Sequence, residues 1–125
     1  MQQKPTSVQL NDLSLDYIEY IIEDKINEST PRYKRYNTDN MYILLKLDTA
    51  TGLVWMVQYR IGKSSTAMEV AIDDRALSPV RENGRYELYP TQNIYTFILL
   101  DTKFGRTYQV QWNTDPKKRF VEQIN

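Results

Sequence analysis

Two stretches of the chain decide its fold, because they are copies of one pattern. Residues 32 to 59 read RYKRYNTDNMYILLKLDTATGLVWMVQY, and residues 85 to 112 read RYELYPTQNIYTFILLDTKFGRTYQVQW. They align without a gap at a constant offset of 53 residues, as from Arg32 to Arg85. Self-similarity at a fixed offset is the signature of a repeated supersecondary unit. The sequence therefore predicts two tandem copies of one structural unit.

Each copy predicts an antiparallel hairpin. An apolar run ends in Asp-Thr-x-x-Gly, and a strand of alternating apolar and polar residues follows directly. The aspartate, Asp48 or Asp101, can accept backbone N–H bonds from the residues just after it. The glycine, Gly52 or Gly105, can supply the positive φ that closes a short loop. We interpret these four residues as structural turn residues.

The alternation in the return strand predicts which side chains are buried. Tyr108, Val110 and Trp112 point to one side of their strand, and the equivalent residues of the first copy are Trp55, Val57 and Tyr59. Each copy is expected to add a third strand and to bury this aromatic side against a core shared by both copies. The predicted fold is mainly β (α+β), with pseudo-twofold duplicated hairpin or meander units forming one sheet, a sandwich or an incomplete barrel.

Outside the copies, the pattern predicts a helix and a connection within one domain spanning residues 1–125. Residues 12–29 carry apolar side chains at helical spacing and are expected to form a helix packed on the sheet. Residues 1–11 are expected to be a flexible N-terminus. The first repeat spans 31–72, the second spans 85–125, and 73–84 has the composition of an exposed connection.

Composition excludes several kinds of chemistry. The 125 residues contain no cysteine and no histidine, which removes disulfides, the usual zinc sites and every imidazole or thiol mechanism. The 16 basic and 16 acidic residues cancel, so charge favours neither nucleic acid nor an anionic membrane as partner. No cofactor or metal is expected. The absence of a signal peptide favours the cytoplasm, and an exported mature form stays open.

Candidate binding residues come from a repeated Arg-Tyr-x-x-Tyr-x-Thr-x-Asn segment in a chain with ten tyrosines. Tyrosine rings supply contact area and amides supply direction, a combination typical of recognition surfaces. The alternative is an edge strand that packs its tyrosines inward. The candidate residues are Tyr33, Tyr36, Asn40, Gln58, Tyr86, Tyr89, Asn93 and Gln111.

The pattern Tyr-x-x-x-Leu-Asp-Thr-x-x-Gly-x-x-Tyr-x-Val-Gln-Trp, which spans Tyr95 to Trp112, resembles a set of short, uncharacterised gut-bacterial proteins. Those proteins carry this unit once or twice, and the resemblance covers the chain from Pro31 to its end. It implies duplication and a bacterial origin, and it implies no reaction, ligand or partner.

Three functions remain open from the sequence. The first is a non-enzymatic interaction module that meets another macromolecule or a second copy of itself. The second is a structural subunit or a component of a homo-oligomer. The third is a small hydrolase that uses Asp48, Asp101 or a buried glutamate in a pocket between the copies.

Overall fold

The computed structural model describes residues 17–22, 25, 27, 29–60, 62 and 66–125. The chain divides into two compact units, Met1–Thr30 and Pro31–Asn125. In the first unit, residues 17–22, 25, 27 and 29 are helical, whereas the predicted helix start and the flexible N-terminus lie outside the described residues. Its packing on the sheet stays a prediction. No helix in the described part of the chain is both long enough and apolar enough to span a membrane.

The second unit contains two four-stranded antiparallel sheets, and the mainly β prediction is confirmed. Sheet 1 has the order β1-β2-β3-β4 and sheet 2 has the order β5-β6-β7-β8, so each sheet is a simple meander. A short 3-10 turn, Pro116–Lys118, precedes the last strand. The strands are β1 Tyr33–Asn37, β2 Ile43–Asp48, β3 Val54–Gln58, β4 Met68–Ala71, β5 Tyr86–Pro90, β6 Thr96–Asp101, β7 Thr107–Gln111 and β8 Phe120–Ile124.

The two sheets pair equivalent residues. Tyr33 lies opposite Asp48 in sheet 1, and Tyr86 lies opposite Asp101 in sheet 2. The repeated Arg-Tyr segments form the edge strands β1 and β5, as the structural alternative expects, but only Tyr36 and Tyr86 pack inward, and Tyr33 and Tyr89 are exposed. The two copies thus form two separate sheets with one strand order and one register.

Each sheet has two faces, which we name by the residues they share at the offset of 53. The aromatic face carries Tyr33, Trp55 and Tyr59 in sheet 1, and Tyr86, Tyr108 and Trp112 in sheet 2. The aliphatic face carries Tyr36, Leu45 and Leu47 in sheet 1, and Tyr89, Ile98 and Leu100 in sheet 2. Directly opposed residues on neighbouring strands share a face.

The sheets turn different faces to their common core. Sheet 1 buries its aliphatic face and sheet 2 buries its aromatic face. The residues of the single core cluster are Ile43, Leu45, Leu47, Val54, Met56 and Ile72 from the first copy, and Tyr86, Leu88, Phe97, Leu99, Val110 and Trp112 from the second. A strict two-fold axis would place equivalent faces against each other across the core. The two sheets do not follow this symmetry, because each contributes a different face.

The expectation that Trp55, Val57 and Tyr59 bury the aromatic side of the first copy is wrong. Trp55 and Val57 are half-buried on the outer face, and Tyr59 is 47% exposed. The reason lies in β2, where Lys46 occupies the position that Leu99 fills in the second copy. Burial of an ammonium group is strongly unfavourable, whereas burial of a leucine side chain is favourable. Sheet 1 therefore buries the face of Leu45 and Leu47 instead.

The connection between the copies is less exposed than its composition indicates. Ser78 and Asn83 are buried, and Leu77 packs against the core cluster. The backbone N–H groups of Leu77 and Ser78 both donate to the Thr51 carbonyl oxygen, at 2.9 and 3.2 Å. The connection thus fixes the first Asp-Thr-x-x-Gly turn from outside.

The two turn glycines provide a matched test of this contact. Gly52 and Gly105 both have positive φ, at 83° and 72°. A Cβ at Gly52 would stand 2.9 Å from Leu77 Cδ1, whereas a Cβ at Gly105 would meet nothing within 4 Å. We expect Gly105→Ala to lower the free energy of unfolding by about 1 kcal/mol, through backbone strain alone. Gly52→Ala should cost about 2 kcal/mol or more, since overpacking adds to the strain. Urea denaturation of both variants measures the difference, and equal losses would contradict the close contact.

Candidate interaction surface

The outer side of sheet 1 exposes aromatic rings around a lysine. Tyr33 is 50% exposed, and its ring centroid lies 6.2 Å from that of Trp55 in a tilted arrangement. Lys46 Nζ lies 4.7 Å from the Trp55 centroid and 5.7 Å from the Tyr33 centroid. Both distances are within the range of cation–π attraction. The lysine and the two rings therefore form one cluster.

Further contacts hold side chains of this face in place. Lys46 Nζ forms a 2.8 Å salt bridge with Glu69 of β4. At the far end of the face, the Tyr59 ring packs edge-on against Tyr42 with centroids 5.8 Å apart, and its hydroxyl donates to the Met41 carbonyl. Ring positions held in this way lose little further entropy when a partner binds.

Four of the eight candidate binding residues are tyrosines, and the structure separates them. Tyr33 and Tyr89 are exposed, on the aromatic face of sheet 1 and the aliphatic face of sheet 2. Tyr86 is only 1% exposed within the core, where burial raises the pKa of its hydroxyl. The half-buried Tyr36 packs against the core, and its hydroxyl accepts a 3.5 Å hydrogen bond from the Leu88 N–H. Two of the four rings are thus exposed, and the other two pack inward.

The remaining four candidates are amides, and hydrogen bonds to nearby backbone groups hold three of them. Asn40 Oδ1 accepts from the Tyr42 N–H, and Asn93 Oδ1 accepts from the Tyr95 N–H, both at 2.9 Å. Each asparagine therefore closes the turn before a central strand. Gln58 ends β3, and Gln111 Nε2 donates to the Lys118 carbonyl. The two asparagines have a turn role that accounts for their repetition.

Sequence reasoning missed the residues at the centre of this surface. The sequence predicts Trp55 and Tyr59 in the core, and Lys46 is not among the candidate residues. A signal was available, because Leu45, Leu47, Val54 and Met56 form a complete apolar face of their own. Lys46 lies opposite Trp55 on the neighbouring strand, so the two side chains share the other face, and the charge of the lysine marks that face as the solvent side.

Each turn aspartate is bound by the arginine that begins its copy. Arg85 Nε and Nη2 donate to the two carboxylate oxygens of Asp101, both at 2.9 Å, and Arg32 contacts Asp48 in the same way at 3.1 Å. Such bidentate pairs are among the strongest charge-assisted contacts. This contact explains why an arginine recurs at the start of each copy.

These contacts set the ionisation of the two carboxyls. The hydrogen bond from Arg85 is the main cause that lowers the pKa of Asp101. Burial opposes ionisation at Asp48, but hydrogen bonds from Arg32, Thr51 and the Ala50 N–H outweigh it and lower its pKa. Both groups are therefore charged at neutral pH and have no proton to donate as a general acid.

The cavity between the two sheets has a volume of about 340 Å³ and is lined in part by Tyr108, Leu77 and Gln123. Its one lining carboxylate is Asp73, which forms a 2.8 Å salt bridge with Arg75. Among the described residues there is no group of three or more acidic side chains that could hold a metal ion. The cavity therefore does not bring together the two carboxylates that the hydrolase hypothesis requires.

The paired arginines predict unequal effects of one substitution. The Arg85 side chain is 9% exposed and that of Arg32 is 33% exposed, while both aspartates are buried. Arg85→Gln should cost about 3 kcal/mol of unfolding free energy, because it leaves a buried carboxylate without its charge partner. Arg32→Gln should cost about 1 kcal/mol, because water can replace part of the contact. Thermal and urea unfolding at neutral pH measure both, and an equal cost would show that exposure does not decide the contribution.

The chain matches no protein-family model, no curated protein and no solved structure. A function for the chain can therefore be proposed only from the surfaces and contacts described above.

Proposed function

We propose that this protein is a non-enzymatic interaction module whose docking surface is the aromatic face of sheet 1. The observation that carries the proposal is the surface cluster of the exposed Tyr33 with the half-buried Trp55 and Lys46, with the exposed Tyr59 at the end of the same face. Tryptophan, tyrosine and arginine are the residues enriched at the energetic centres of protein interfaces. Arg35 is exposed beside Lys46 on the same face and supplies the third of these types.

The same arrangement favours a macromolecular partner over a small ligand. The residues of the aromatic face come from four neighbouring strands, and the face extends beyond the pocket of about 390 Å³ that Arg35, Leu44 and Tyr59 line at one end. Small-molecule sites are usually concave and enclose most of their ligand. A sheet face with rings and charges instead offers a broad area to another folded surface.

We also infer that the two sheets descend from one duplicated unit. They share strand order, register, the Arg–Asp contact and the asparagine turn. After duplication, the unequal residues at equivalent positions, such as Lys46 and Leu99, assign one aromatic face to the core and the other to the surface.

The structural-subunit hypothesis remains a second candidate, since it uses the same exposed face for permanent assembly. The hydrolase hypothesis is less well supported. Asp48 and Asp101 are each bound by an arginine and have lowered pKa values. A general acid at neutral pH needs a raised pKa, which burial beside a second carboxylate would produce.

Site-specific photo-crosslinking in the cells that make the protein tests the proposed docking surface. A photoreactive phenylalanine analogue replaces Tyr33, and the matched control carries it at Val80, which is 58% exposed in the connection between the sheets. We expect a discrete crosslinked product from position 33 and none above background from position 80, because an interface holds its partner within reach of the ring. Denaturing gels followed by mass spectrometry detect the product and identify its protein. Equal background at both positions would contradict the proposed function.

A further inference from the structure

We propose that the partner of the aromatic face of sheet 1 is the aliphatic face of sheet 2 in a second copy of this chain. Copies would then associate head to tail. This inference rests on the proposed function and names the partner for the same surface. The contact joins a non-equivalent pair of faces, one from each sheet, and is not a symmetric contact of one face with itself.

The molecule already contains a template for this contact. Inside one copy, the aliphatic face of sheet 1 packs against the aromatic face of sheet 2 to form the core. The two faces left outside are the aromatic face of sheet 1 and the aliphatic face of sheet 2. Each of them is the repeat-equivalent of a face buried within the molecule. If a second copy packs its sheet 1 on the outer face of sheet 2 in the same way, an aromatic face again meets an aliphatic face.

Backbone contacts of the template have matching groups at the two outer faces. The Tyr86 N–H donates to the Thr49 carbonyl oxygen at 2.9 Å, and so joins β5 to the first turn. The repeat-equivalents are Tyr33 and Thr102. Thr102 is exposed although Thr49 is completely buried, so the second turn presents an open version of this acceptor site.

A side-chain contact extends the template along the edge strand. The Tyr36 hydroxyl of sheet 1 lies 3.5 Å from the Leu88 N–H of β5. The equivalent pair between copies is Tyr89 with Arg35. Tyr89 is 45% exposed on the aliphatic face, and its hydroxyl donates a hydrogen bond to the Glu87 carboxylate. The template thus places Arg35 of one copy near Tyr89 and Glu87 of the next.

Charge on the two outer faces is complementary. Arg35 and Lys46 lie opposite each other on the aromatic face of sheet 1, with Glu69 as the counterion of Lys46. The aliphatic face of sheet 2 carries Glu87 and the exposed Glu122. An excess of positive charge on one face and negative charge on the other steers non-equivalent faces together, and it opposes pairing of either face with itself.

The contact between copies is expected to be weaker than the core it resembles. Lys46 stands where the core has Leu99, and Gln109 and Glu122 stand where the core has Met56 and Val70. These polar replacements keep the single copy stable in water and reduce the apolar area that association buries. A reversible, salt-dependent association follows.

Head-to-tail contacts continue until the assembly closes. A heterologous interface generates a ring when its rotation closes and an open filament when it does not.

Complementation between two surface variants tests the proposal on the full chain. Arg35→Glu reverses charge on the aromatic face, and Glu122→Lys reverses charge on the aliphatic face. Their template equivalents, Leu88 and Val70, both pack in the core, so both positions should lie within the contact. Each variant alone should self-associate about tenfold more weakly than the wild type, because like charges then meet. An equimolar mixture should recover a heterodimer, since each variant supplies the intact face that the other lacks.

Sedimentation velocity measures all four samples, and the controls are Lys34→Glu and Gln123→Lys. These neighbours on the same strands are exposed and project to the opposite sides of their sheets, so they should associate like the wild type. Circular dichroism verifies folding, and Tyr33→Ser replaces Arg35→Glu if that variant does not fold. A wild-type monomer at every concentration, or weakening by only one of the two variants, would overturn the head-to-tail proposal. A crosslink from position 33 to a different protein would overturn it while leaving the proposed function intact.

Discussion

The packing of non-equivalent faces against each other is the constraint on which the rest of the structure depends. Two sheets with one strand order and one register share a core, yet sheet 1 contributes its aliphatic face and sheet 2 its aromatic face. Many equivalent residues of the repeat therefore have different environments in the two copies. Leu99 is buried where Lys46 is half-buried, and Thr49 is buried where Thr102 is exposed.

This arrangement separates the residues that stabilise the unit from those on the surface that we propose for a partner. The Arg–Asp contact and the asparagine turn occur in both copies, and both act within a single sheet. They are structural, because they join residues of one sheet and hold its turns in place. The exposed rings and charges differ between the two outer faces. They have no such structural role within a sheet.

The sequence is sufficient to predict the hairpins and their turns, because those features depend on local patterns such as Asp-Thr-x-x-Gly. It is insufficient to decide which face each sheet buries. Both faces of β2 and β3 carry apolar residues, so period-two alternation allows either choice, and aromatic content favoured the wrong one for Trp55. The deciding residue is Lys46, a single charge whose effect depends on tertiary packing.

The unfolding free energies of two equivalent lysine variants test the opposite-face arrangement most directly. Leu45 and Ile98 occupy the same repeat position, but Leu45 is fully buried and Ile98 is half-buried on the outside of sheet 2. Leu45→Lys should cost about 4 kcal/mol or more, because an unpaired ammonium group enters the core. Ile98→Lys should cost about 1 kcal/mol, because the side chain can reach water. Equal losses, or a larger loss for Ile98→Lys, would contradict the account.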